Sequence, residues 1–307
     1  MDTALYELIA SVRAIPVDDR LSDDAVVALM HIHLSVMTMI VANMLEDEYG
    51  DAECHREAME RLFAICSRRS ESRQPLARRS RMTPAMYLYF CMPDALFDDR
   101  KHDVCLRCTY RMADEWQEKT REARPLDEKA RTVEYGVLQS ILEAFAYVVD
   151  EDRDADKDFL YLKRRIGEWA SELDGNGCWS GLSDDEALLR IGIMAGHSDT
   201  NGDSRFDARI DKALEACFDR IIGRDAVEGR TLFGLYHALM WNAGRRDGRK
   251  SDTVAALAAR MLGSADGDRR LWCMAVCIDR ACARINDEIK RQMLAYSTPT
   301  PDPICDS

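Results

Sequence analysis

The sequence predicts an all-α fold: antiparallel helical hairpins stacked as an α/α repeat or closed into a toroid-like bundle. Apolar residues recur at helical spacing in about a dozen segments, and capping and turn residues fall between them. No run of alternating apolar and polar residues rises above that pattern, so no strand is expected. The clearest unit spans 159–195. Phe159, Leu162, Ile166, Trp169 and Leu173 recur at i, i+3, i+7, i+10 and i+14, one face of a helix. The loop Asp174-Gly-Asn-Gly-Cys-Trp179 stops it, because glycine takes positive φ without steric cost. Ser183-Asp-Asp-Glu186 then opens the next helix as a capping box.

From the N-terminus, 2–14 reads as a short helix ending before Pro16. Leu21-Ser-Asp-Asp24 caps a helix over 25–45 that carries no Asp, Glu, Lys or Arg. That segment is long enough to span a bilayer. Yet His31, His33, Ser35, Thr38 and Asn43 interrupt it, and both flanks are acidic, so we expect a core helix with Met30, Leu34, Met37, Val41 and Met44 along its seam. The letters Leu-Ser-Asp-Asp recur at 182–185, which we read as shared capping chemistry at two helix starts.

A third helix is expected over 51–66. The stretch 68–81, with six arginines, reads as an exposed basic connection. Further helices are expected at 84–92, 104–123 and 127–148, with Pro125 marking a sub-boundary near 124–126. The acidic run 150–158 is a loop, since like charges repel in a compact segment. Helices follow at 206–222, 231–243, 252–262 and 268–295. One domain is thus read over 1–296, with a disordered tail over 297–307 that holds three prolines. In an up-down stack the loops fall into two sets. One gathers 150–157, 196–205 and 244–251; the other gathers 174–182, 223–230 and 263–267. The first set is the more highly charged, and a polar site is expected there.

Hydrophobic residues make up 47% and charged residues 32%, which excludes global disorder. The net charge of −13 repels phosphate backbones and anionic bilayers, so neither general nucleic-acid binding nor membrane docking is expected. Eleven cysteines in a chain of 307 residues, with no basic n-region and apolar run at the N-terminus, read as free thiols in a reducing cytoplasm.

Several constellations bear on chemistry. Asp199 and Asp203 begin a calcium-type loop, but position 6 is Ser204 rather than glycine and position 12 is Ile210 rather than glutamate, so a polar turn capping the next helix fits better. His102, Cys105 and Cys108 have part of a zinc spacing, while Cys105 and Cys108 also fall on an apolar seam with Met112 and Trp116. His237 lies in an apolar helix and is the candidate catalytic base; in that role it needs a carboxylate partner. No phosphate loop, nucleophile elbow or dinucleotide fingerprint is found.

Asp98-Asp99-Arg-Lys-His-Asp103, following Met86-Tyr-Leu-Tyr-Phe90, resembles the aspartate-rich motif of class I terpene synthases. The resemblance implies Asp98, Asp99 and Asp103 as Mg2+ ligands for a diphosphate substrate within an all-α fold. The family's second metal motif is missing, since Asn286-Asp-Glu-Ile289 is too short a match. Asp174-Gly-Asn-Gly-Cys-Trp179 is similar to the inter-helix turns of α/α-toroid enzymes, where such a turn is mostly structural. The leading expectation is a cytoplasmic helical binding or scaffold protein, with a protein or small molecule as partner. The alternative is an α-helical enzyme with an acidic, Mg2+-dependent pocket.

Overall fold

The computed structural model describes residues 3–50, 52–71, 182–201, 207–224, 226–241 and 247–297, together with 157, 160, 161, 163–165, 167 and 168. Most of these residues are helical, and no strand is found among them. We label the helices α1 (Thr3–Arg13), α2 (Asp23–Asn43), α3 (Glu46–Tyr49), α4 (Glu53–Glu71), α5 (Asp184–Asn201), α6 (Asp207–Ile222), α7 (Gly229–Trp241), α8 (Gly248–Leu262) and α9 (Gly267–Ser297). The helices expected over 84–148, the sub-boundary near 124–126 and the tail beyond 297 lie outside the described residues, as does about half of 159–173, whose described positions are helical.

Pairs of contacting residues fix the helix directions. Ser22 donates to Asp268, Ser35 to Asp279, and Asn43 contacts Asn286. The numbers rise together, so α2 and α9 run parallel. Tyr236 bonds Asp279, and Gly229 packs on Arg269 and Trp272, so α7 is also parallel to α9. Thr231 bonds Asp185, and Gly234 sits near Leu188, which makes α5 parallel to α7. α4, α6 and α8 run the other way. Asp23 pairs with Arg69, and His33 meets His55, across α2 and α4. Asp184, at the start of α5, pairs with Arg220 at the end of α6. Asp252 pairs with Arg280, and Cys277 reaches Ala255, across α8 and α9.

Four parallel helices, α5, α7, α9 and α2, thus carry α6, α8 and α4 as antiparallel neighbours. α2 is apolar nearly all round because it is covered on most sides. Val26, Ala28, Leu29, Met30, Ile32, Val36, Met39 and Ile40 are buried completely. By length and composition alone it could cross a membrane, but it packs along α9 and α4 and forms the centre of the core. Cys273 and Cys282 are buried on α9, where burial raises their thiol pKa values; Cys277 is pushed up to about 12.

The two Leu-Ser-Asp-Asp segments occupy matching places. Ser22 accepts from the Ala25 N–H at the start of α2, and Ser183 with Glu186 forms the capping box of α5. Asp23 binds Arg69 in the last turn of α4, and Asp184 binds Arg220 in the last turn of α6, each on the next long helix down the chain. α4 therefore runs to Glu71, past the end expected at 66. Arg68 and Arg69 are helical and pair with Asp19 and Asp23, so they do not begin an exposed connection. α8 likewise begins at Gly248, capped by Asp247, inside the loop expected over 244–251.

A buried pair of imidazoles joins α1, α2 and α4. Arg13 Nε donates to His55 Nε2 at 3.3 Å, so His55 carries its proton on Nδ1 and donates it to His33 Nδ1 at 2.9 Å. Both rings are almost solvent-free. Desolvation, reinforced by Arg13, lowers His33 to about 4; desolvation, with His33 and Arg13, lowers His55 to about 3.

Two outcomes are expected. The unfolded chain takes up protons below pH 6.5 that the native imidazoles refuse, so this pair contributes full stability above that pH and loses it as pH falls toward 4. Between pH 7 and pH 5, urea denaturation should show a loss of about 2 kcal/mol for each of these two imidazoles, and His55→Gln should remove its share of that slope. The side chain of Asp184 is 6% exposed and that of Asp23 is 44% exposed. Asp184→Asn should therefore cost about 2 kcal/mol in the same assay, and Asp23→Asn less than about 1 kcal/mol.

Candidate functional site

α2 and α7 lie on either side of α9, and their larger side chains meet across it. His31 stacks on Phe233 at 4.8 Å between ring centroids and faces His237 at 6.2 Å. Phe233 also packs on Trp272 of α9 at 4.9 Å and lies 6.0 Å from His237. One turn on, the Asp279 carboxylate receives the Ser35 hydroxyl at 2.6 Å and the Tyr236 phenol at 2.5 Å. His31 and Ser35 are four apart on α2, and Phe233, Tyr236 and His237 are three and four apart on α7. Each helix thus turns one stripe toward the same place.

Phe233 and Trp272 are buried, whereas His31, Ser35, Gly234, His237 and Asp279 keep part of their surface accessible. The cluster is therefore a half-open polar seam in an apolar layer. Burial, helped by His237, drives His31 down to about 3; burial lowers His237 as well, against the opposing charge of Asp279. Burial raises the Tyr236 phenol, and the Asp279 charge raises it further. At neutral pH the seam presents two neutral imidazoles and a protonated phenol, and each Asp279 oxygen receives one hydroxyl.

His237, the candidate base from sequence, thus has a carboxylate nearby, but both Asp279 oxygens are engaged by Ser35 and Tyr236. Asp98, Asp99, Asp103 and Asp203 lie outside the described residues. The backbone of Asp199 belongs to α5, which runs through Asn201, so the polar loop expected from 196 starts later. Among the described residues, no three of His, Cys, Asp and Glu converge to hold a metal ion. Sequence reasoning missed Asp279 and Ser35. The available signal was a serine and an aspartate interrupting otherwise apolar stripes, each needing a buried partner.

The chain matches no protein-family model, no curated protein and no solved structure.

The carboxylate ties three helices together. Asp279→Asn retains one acceptor oxygen for two hydroxyls, so it should destabilise by about 1–3 kcal/mol, whereas Tyr236→Phe should cost about 1 kcal/mol because Ser35 still pairs with the carboxylate. Chemical denaturation of both variants checks that order.

Proposed function

We propose that the chain is a cytoplasmic helical binding protein that takes a small partner molecule against the seam in front of α9. The observation that carries this reading is the protonation state of the cluster. Proton transfer at neutral pH needs a group whose pKa lies near 7. His31 lies far below that range, burial lowers His237 as well, Tyr236 is raised from an already high value, and Asp279 is committed to two hydroxyls. Neutral imidazoles beside the aromatic faces of Phe233 and Trp272 suit hydrogen bonding and stacking with an uncharged ring or hydroxyl compound. Free thiols at Cys54, Cys217, Cys273, Cys277 and Cys282 support a reducing compartment.

The same reading takes the architecture as a closed α/α ring. It is supported by four parallel helices backed by antiparallel ones, and by the packing of α2, from the start of the chain, along α9 at its end.

Two measurements test this. Small-angle scattering should give a radius of gyration of about 19 Å for a closed, compact chain of this length, and a clearly larger value for an open stack. Thermal melting against a panel of small hydroxylated aromatics should find compounds that raise Tm in the wild type and not in His31→Phe/His237→Phe. A panel that leaves the wild type unmoved, or moves both proteins alike, sinks the binding reading at this seam.

A further inference from the structure

A cavity of about 300 Å³ opens at the end of the layer where α5, α7 and α9 begin, lined by Ser183, Asp184, Asp185, Arg224, Glu228 and Arg269. It lies within the second loop set, rather than the set in which a polar site was expected. Three parallel helices present their N-terminal ends here, each with a partial positive charge.

The lining groups differ in what they already hold. Asp184 is saturated by Arg220 at 2.9 Å and Arg224 at 2.6 Å. Asp185 receives the Thr231 hydroxyl. Ser183 and Glu186 close their own capping box. Arg269 makes no hydrogen bond or ion pair among the described residues, and its Nε is buried without a partner. One turn along α9, Trp272 is 2% exposed and its Nε1 is also unpartnered. Two buried donors without acceptors at i and i+3 are rare enough in a folded interior to call for an explanation. Gly229 explains how they come to be enclosed. A Cβ there would lie 2.7 Å from the Arg269 carbonyl oxygen and 3.0 Å from Trp272 Cβ, so α7 closes directly over this part of α9.

The charge balance narrows the ligand. Arg269 and the starts of α7 and α9 call for an anionic oxygen group. The lining as a whole carries three carboxylates against two guanidinium groups, which repels an inorganic phosphate. Glu228 is exposed at the rim without an ion partner among the described residues and favours a cation. A molecule carrying both signs a few bonds apart satisfies each group. The volume is at the small end of ligand sites, which run from ~300 to 1,000 Å³. We propose that this cavity binds a zwitterion of the free amino-acid type, its carboxylate on Arg269 and its ammonium toward Glu228 and Asp185. The inference is independent of the seam in front of α9.

The test is calorimetric titration of the full chain with each common L-amino acid, and with acetate, methylammonium and inorganic phosphate at matched ionic strength. At least one amino acid should bind, and acetate and methylammonium should not. Arg269→Gln should weaken that binding tenfold or more. Glu228→Gln, a surface change that leaves packing alone, should weaken it several-fold and keeps the test valid if Arg269→Gln fails to fold. Absence of binding by every amino acid overturns the proposal. So does unchanged affinity in Glu228→Gln, or acetate or phosphate binding as tightly as any amino acid.

Discussion

Parallel helices packed side by side bring like ends of their dipoles together, and the rest of this structure follows from how that repulsion is met. α2, α5, α7 and α9 all begin at one end. α2, α5 and α9 carry acidic residues in their first turns: Asp23 and Asp24, Asp184 with Asp185 and Glu186, and Asp268. Such residues interact favourably with the positive helix ends. The antiparallel helices finish at the same end with arginines, at Arg68 and Arg69 of α4 and at Arg220 of α6. Acid from one layer meets base from the next in Asp23–Arg69 and Asp184–Arg220. Asp24–Arg230 ties α2 to α7 in the same region. One alternation of helix direction thus sets the capping, the ion pairs and the placement of charge.

The repeated Leu-Ser-Asp-Asp is the sequence trace of that device. Its capping role was legible, because serine followed by acids is favourable at almost any helix start. Its meaning was not, because the partners Arg69 and Arg220 lie 46 and 36 residues away from Asp23 and Asp184. The same limit explains the misplaced end of α4. Six arginines between 68 and 81 read as a solvated stretch, since local sequence does not disclose that the first two face acids across a helix pair. Helix class and the core role of α2 were legible from periodicity and apolar composition, but the seam expected through Val41 and Met44 fails at its end, where they are 60% and 89% exposed. Parallel packing of α2 with α9 was not, since these segments are separated by nearly the whole chain.

The site was legible only in part. His237 stood out as a titratable residue in an apolar helix, and the structure adds His31 as its neighbour. Asp279 was hidden inside Cys277-Ile-Asp-Arg280, where the obvious reading is a polar position on an amphipathic helix. Its importance comes from Ser35 and Tyr236, contributed by two other helices. Each oxygen of that carboxylate receives one hydroxyl, so a single side chain of α9 fixes the rotamers of residues on α2 and α7.

One stripe of α9 connects the two places where the chain has unusual polar groups. Arg269, Trp272 and Asp279 stand at i, i+3 and i+10, so they share a face, and at 1.5 Å per residue the cavity and the carboxylate are about 15 Å apart. Trp272 lies between them and touches Phe233, which touches both imidazoles. Any communication with the seam would then pass through the Trp272–Phe233 contact rather than through loops. That contact is buried and has no polar alternative, so it transmits displacement by packing alone. The cavity and the seam thus lie along one stripe of α9 with different chemistries: charged groups line the first at the end of the layer, and imidazole, hydroxyl and aromatic groups form the second along its face.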